Sequence, residues 1–405
     1  MSFLATNEYF ERIHRIISLL DAENIKILTA MRKHGPRNLQ LISRKTGIPG
    51  PTVYSRVSKL ESQGLLRTWI SPDYSKIGLQ RAVVLLAPRA GLDQLTLRAL
   101  KIPGFWLWVT RCLGECNGYF SLHAIPSANR QDFEQYLDQI VASGIASSYR
   151  IFWLEETHTP YFNFDYYSTE GKTWKFDWHG WLKDLTGQGG PRVSKAQSLS
   201  SRSFDKRDLL ILKEMMKDAR TKLSDMGKLL ELTLPAVKYR FDDLLQRGFI
   251  HEYIVGILPY APEISDLFEV RLDFTSEKSL RSGETVLAGL PFLNTYSPVR
   301  NSNSISARVY LPRGEMSNLL TLLSALVREH VLSSFSYLLL DPITIQAQTF
   351  HYKNYNDGLG WHYDNREYLK SLQDALSIYE KGHAEPINFQ LAPGRERSVD
   401  QIALR

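Results

Sequence analysis

The sequence predicts an α+β fold built twice over in one chain. Three observations carry that reading. The 405-residue chain aligns with itself at an offset of about 184 residues. Each half opens with three short helical patterns closed by a glycine and a strand, and then runs strand, helix, strand, strand, helix, strand. With 43% hydrophobic and 23% charged residues the composition is that of an ordinary globular protein, and 405 residues exceed what one core serves.

The repeat fixes the order of the elements. Leu20-Asp21, Leu39, Val53, Arg56, Leu60 and Gly64 answer to Phe204-Asp205, Leu223, Val237, Arg240, Leu244 and Gly248 at an offset of 184. The offset drifts to 186, pairing Pro126 with Pro312 and Leu137 with Leu323, and to 187, pairing Trp174 with Trp361. A duplicated unit with small loop insertions drifts in this way. The expected division is an N-terminal helix at 1–20, a helical module at 21–75, an α+β domain at 76–165, and an aromatic segment with a Gly/Ser-rich linker at 166–203. A second module at 204–258, a second α+β domain at 259–350, and an aromatic segment, helix and tail at 351–405 follow.

Within the first module, Ile25, Ile27, Leu28 and Met31 have helical spacing behind Asp21 as a cap, and Leu39, Leu41 and Ile42 make a second short helix. A turn through Thr46-Gly-Ile-Pro-Gly50 leads to a third helix with Pro51 in its first turn and Val53, Val57 and Leu60 inward. Gly64 stops it, and Leu65 to Ile70 reads as a strand. Three helices and a strand pair in about 50 residues is the winged helix-turn-helix outline. The third helix presents Thr52, Tyr54, Ser55, Arg56 and Lys59 on faces the core does not need. Arg44 and Lys45 end the second helix, and Arg67 is expected at the wing. Such a set suits double-stranded DNA, with base edges facing the helix and phosphates wanting cations on either side.

The two modules differ in charge. Residues 20–70 hold nine Lys/Arg against three acids, whereas residues 204–254 hold ten against nine. Asp242 and Asp243 stand where the first copy has Ser58 and Lys59. Because phosphates repel carboxylates, the first module is expected to bind DNA more strongly. The second would bind weakly through Lys238, Tyr239 and Arg240, or serve as a packing partner.

The second module of each half has the ferredoxin-like βαββαβ order. Strands are expected at 82–86, 106–112, 119–124 and 148–154, with helices at 91–101 and around Phe133, Tyr136, Leu137 and Ile140. The second copy repeats them, with strands near 267–274, 294–300, 305–311 and 334–340. Such a sheet leaves one face open, so the copies are expected to cover each other as an intramolecular pseudo-dimer. A true homodimer stays open.

In this arrangement the chain resembles the Lrp/AsnC (feast/famine) family of transcriptional regulators, over about 20–155 and 204–340. Phe204-Asp205 to Leu212, Asp218-Ala-Arg220 and Val237-Lys-Tyr-Arg240 look like its helix-turn-helix, and Gly114-Glu-Cys-Asn117-Gly-Tyr-Phe120 is similar to a hairpin of its effector domain. The resemblance implies a major-groove helix in each module. It also implies a small-molecule effector, typically an amino acid, held near Gly114 and Asn117. The doubling in one chain departs from the family pattern, as does Asn301-Ser-Asn303-Ser304 in place of the glycine hairpin.

The aromatic stretches 161–167, 174–181, 350–352 and 361–363 are expected to cover the sheets or knit the halves together. Cys112 and Cys116 read as reduced structural thiols, and His158, His179, His351 and His362 form no metal-type grouping in sequence. No catalytic motif, cofactor loop or membrane span is expected, and the chain reads as cytoplasmic. Two rival readings are a sirohaem-decarboxylase-like enzyme on the same fold, and an architectural DNA-binding protein without sequence choice.

Overall fold

The computed structural model describes residue 13 and residues 18–160, 163–187, 204–257 and 259–381. Most of the expected N-terminal helix, the linker, Tyr161-Phe162 and the tail beyond 381 lie outside the described residues.

The first copy runs α1 (Ala22–His34), α2 (Leu39–Thr46), α3 (Gly50–Ser62) and β1 (Leu66–Pro72). It continues through β2 (Leu79–Pro88), α4 (Asp93–Lys101), β3 (Trp106–Gly114), β4 (Gly118–Pro126), α5 (Arg130–Ala142) and β5 (Ala146–Trp153). A short pair, β6 (Tyr167–Ser168) and β7 (Thr173–Trp174), leads to α6 (Trp178–Thr186). The second copy repeats the series as α7 (Lys206–Lys217), α8 (Leu223–Leu230), α9 (Leu234–Gln246), β8 (Ile250–Ile257), β9 (Ser265–Phe274) and α10 (Glu277–Leu287). Then come β10 (Leu293–Val299), β11 (Ser304–Pro312), α11 (Met316–Arg328), β12 (Leu332–Leu340) and β13 (Gln346–Ala347). The copy closes with β14 (Tyr355–Asn356), β15 (Gly360–Trp361) and α12 (Asn365–Lys381).

The strand expected to pair inside each helical module does not do so. β1 pairs antiparallel with β8 of the other copy, from Leu66 opposite Ile257 to Pro72 opposite Ile250. Each module supplies one edge strand, and an unpaired edge is satisfied most directly by its pseudo-symmetric twin. The resulting ribbon joins the modules. Arg37 donates to the carbonyls of Ala219 and Thr221, the latter at 3.0 Å, and its guanidinium stacks 5.0 Å from the Phe241 ring. Arg220 pairs with Glu61 across the same junction.

The α+β domains have the expected order, and they join edge to edge as well as face to face. Strands run β10-β11-β9-β12-β3-β4-β2-β5, with β13 beside β3. The seam is Leu338–Leu340 on Gly114–Cys112. At the other end single bridges, Leu154–Val299 and His158–Tyr296, return the sheet to its start. The faces turned from the helices therefore meet, so that Val83, Leu85, Trp108 and Phe120 share a core with Leu267, Tyr310, Leu338 and Leu340. The copies form an intramolecular pseudo-dimer.

The aromatic tails cross over. Trp181 and Leu185 of α6 sit in the core of the second domain with Phe292, Leu319 and Leu323. Tyr368, Leu372 and Ala375 of α12 sit in the core of the first with Phe133, Tyr136 and Leu137. Trp361 donates to the Ile77 carbonyl at 2.6 Å and meets Phe105 edge-on. Each copy's tail thus seals its twin, burying large apolar rings that neither domain could cover alone.

Candidate nucleic-acid interface

The helix expected to face DNA is set by short local signals. Asn38 caps α2 by accepting from the Leu41 amide at 2.9 Å, and Gly47, with φ +72°, ends it by donating to the Ser43 carbonyl. A left-handed residue there costs glycine nothing and turns the chain sharply into α3. Val53, Val57 and Leu60 are buried against Ile27, Leu28, Met31 and Ile42. That fixes the opposite face of α3 outward. Tyr54 is 62% exposed, and Ser55 and Lys59 stand open beside it, with Thr52 half-buried. Arg44 and Lys45 are exposed in the last turn of α2, where the helix dipole favours cations. Among the described residues Arg44, Lys45 and Lys59 make no ion pair.

Arg56 and Arg67 are placed differently from the expectation. Arg56 turns back onto the start of α1, with Nη1 2.7 Å from Asp21 and 3.2 Å from the Asn24 side-chain oxygen, and Nη2 on Glu23. Those hydrogen bonds raise its pKa. The helix face carrying Arg56 looks along the protein rather than outward, so its charge is spent internally. Arg67 lies half-buried in the inter-module ribbon opposite Gly256, because the hairpin wing that would have displayed it is not formed.

The second module repeats the frame and alters the surface. Arg240 reaches Asp205 at 2.9 Å and Asp208 at 2.7 Å, inside a reciprocal capping arrangement at the start of α7. Lys238 is paired with Asp242 one turn on, and Arg247 with Asp243. Tyr239 is 65% exposed, and Leu234 and Leu245, near the two ends of α9, are 52% and 43% exposed. The outer part of α9 therefore has its lysine paired with an acid, where α3 shows an unpaired lysine beside hydroxyls.

Gly114 and Asn117 are occupied with structure. The Gly114 amide donates to the Asn117 side-chain oxygen at 3.1 Å, closing the hairpin. Gly114 has φ +118°, and a Cβ there would stand 3.1 Å from the Tyr337 carbonyl oxygen, so the glycine permits the seam between the two sheets. Cys112 and Cys116 are buried free thiols, Cys112 donating to the Cys116 carbonyl at 3.3 Å. The fold does bring His362 together with Asp364 and Glu367, all ligand atoms within 4.8 Å. Asp364 already accepts the Arg366 and Glu367 amides at the start of α12. No described helix is long and apolar enough to cross a membrane.

Comparison with known proteins agrees with this geometry. The family model described as winged helix-turn-helix DNA-binding matches twice, at residues 20–67 and 204–251. An uncharacterised HTH-type transcriptional regulator of Pyrococcus furiosus is 32% identical over 94 residues, which are 22% of this chain and 63% of that protein. The chain thus spans under two thirds of that curated relative. The crystal structure of the siroheme decarboxylase NirDL shares the fold over 88% of this chain and 99% of its own, with TM-score 0.51 and 12% identity. An AsnC family transcriptional regulator from Agrobacterium tumefaciens is 15% identical and covers 34% of this chain and 91% of its own, with TM-score 0.28. By class, then, the chain carries two tandem helix-turn-helix modules, residues 20–67 and 204–251, each matching the winged helix-turn-helix model. More particularly, the likeness to NirDL over most of both chains shows a shared fold that spans both halves of this chain.

Proposed function

We propose that the chain is a sequence-specific DNA-binding transcriptional regulator, responsive to a small molecule, in which α3 is the principal major-groove element. One observation carries the reading. The two pseudo-equivalent helices sit in the same frame, yet only the first offers an unneutralised cation, Lys59, and hydroxyls together with an exposed tyrosine. Phosphate contacts supply most of the affinity of such complexes, and base contacts supply their choice. Arg44, Lys45 and Lys59 are assigned to phosphates, and Thr52, Tyr54 and Ser55 to the groove. Arg56 and Arg240 are assigned to positioning the helices, Arg67 to the ribbon, and Lys238 and Tyr239 to a weaker contact.

The test is selection of genomic fragments by the full chain, followed by titration of the winning duplex against Lys59→Ala and Lys238→Ala. Specific binding lost mainly with Lys59 supports the reading. Equal affinity for unrelated duplexes would point to an architectural role, and binding lost mainly with Lys238 would reverse the assignment of modules. The proposed function includes no catalysis. A spectral change on adding sirohaem, followed by decarboxylation, would overturn that part.

A further inference from the structure

Below the ribbon, between the modules and the sheet, lies a cleft of about 410 Å³. Its upper wall is the end of β1 and the turn after it, Ser71 to Ser75, with His251 of β8. Its lower wall is Leu79 to Arg81, Leu154 to Thr157, and Arg300-Asn301 from the other copy. It is polar, and its acids are mostly engaged. Glu156 holds His251 at 2.7 Å, and Asp73 accepts from the Ser75 and Lys76 amides. Glu155 stands exposed at the rim.

Its cations are not engaged in the same way. Arg81 lies over the Tyr74 ring at 5.2 Å and donates to the Ser297 hydroxyl at a long 3.3 Å. Among the described residues it makes no ion pair. Glu252 and Glu269 act on it electrostatically from beyond ion-pair distance, so a guanidinium with five donors and a single long hydrogen bond keeps donors for a further anion. Arg300, exposed at the mouth, donates to the Gln80 side chain at 3.0 Å and likewise has no carboxylate among the described residues.

The duplication provides a control. Arg81 lies opposite Ala124 on the neighbouring strand, and at the offset of 186 these positions become Leu267 opposite Tyr310. In that half the space is filled. Leu267, Tyr260 and Tyr310 are buried, with Trp174 5.3 Å from Tyr260. One half packs the position with rings, and the other keeps an arginine over open volume.

We propose that this cleft binds a small organic carboxylate, held by Arg81 at its floor and Arg300 at its mouth, and that occupancy is coupled to DNA binding. The volume lies within the range of small-molecule sites. A planar carboxylate matches the guanidinium fork. Because one wall is the ribbon that joins the DNA-binding modules and the other is the sheet, a ligand that bridges them biases their relative position. The binding claim stands alone, and the coupling rests on the DNA-binding reading.

The experiment uses the full chain, followed by thermal unfolding with acetate, succinate and citrate, and with dimethyl succinate and sulfate as comparisons. At least one carboxylate is expected to raise Tm by about 5 °C at a hundredfold excess over its Kd. Arg300→Gln, at an exposed position, and Arg81→Gln are each expected to weaken that ligand tenfold or more. No shift with any carboxylate overturns the site, as does an equal shift with the neutral ester or with sulfate. An undiminished shift in Arg300→Gln does the same even if Arg81→Gln fails to fold. For the coupling, duplex affinity is measured with and without the best carboxylate, and an unchanged Kd overturns it. A chain that takes the carboxylate but binds no duplex sinks the regulator reading and leaves the site standing.

Discussion

Arg240 lies 2.7 Å from Asp208, a carboxylate that is 2% exposed, and so ties the outer helix of the second module to the first turn of its opening helix. Arg56 and Asp21 make the same tie in the first module, also at 2.7 Å, with more water around them. Removing Arg240 leaves a buried carboxylate unpaired, so Arg240→Ala is expected to destabilise the chain by about 3 kcal/mol, and Arg56→Ala, in its wetter site, by about 1 kcal/mol. Urea unfolding measures both. A loss for Arg56→Ala larger than that for Arg240→Ala would contradict the assignment.

Lys59 is expected to act through phosphate. Lys59→Ala should weaken all duplexes to a similar degree and reduce the slope of log affinity against log salt by about 1. Tyr54→Ala should instead change the preference among duplexes. Anisotropy titrations at several salt concentrations separate the two outcomes.

Gly114 is expected to be irreplaceable at the seam. Its φ of +118° and the 3.1 Å approach to the Tyr337 carbonyl together strain any side chain. Gly114→Ala should cost about 1–3 kcal/mol and increase amide exchange along Leu338–Leu340. Unchanged exchange there would show that the seam does not depend on the glycine.

His123 is buried beneath α5, with Nε2 2.9 Å from the Ser121 hydroxyl, and burial lowers its pKa to about 3. It stays neutral in the folded chain while the unfolded chain takes up a proton below about 6.5. The unfolded state then binds more protons, so stability falls as pH drops from about 6.5 towards 3. His123→Met should flatten that loss between about pH 6.5 and 5, above the range where carboxylates titrate. An unaltered pH profile would place the effect elsewhere.

Trp361 binds the tail of the second copy to the domain of the first through the Ile77 carbonyl and Phe105. Trp361→Ala should cost about 3–5 kcal/mol. It should lower the melting of the whole chain in one transition, because the core it enters belongs to the other copy. Two separated transitions in calorimetry would show that the halves fold independently.

The sequence by itself determined the duplication, the three-helix modules, the βαββαβ order and which face of each helix turns inward. These depend on spacing: Val53, Val57 and Leu60 are apolar at helical intervals, and that pattern leaves Tyr54 and Lys59 outside wherever the helix is packed. The charge contrast between the two modules was equally local. Only the tertiary structure decided what each copy lends the other. Nothing near Leu66 indicates that its strand partner is Ile257, since an edge strand carries no address for the chain that will pair it. Arg56 looked like Lys59 in sequence, yet Asp21 and Glu23, more than thirty residues away, claim it. The aromatic tails had rings to bury but no stated place to bury them, and crossing to the opposite domain follows from which surfaces were left open. Arg81, the residue on which the cleft turns, has no local signal at all, and its lack of an ion pair among the described residues appears only when Tyr74, Ser297 and Arg300 are brought around it.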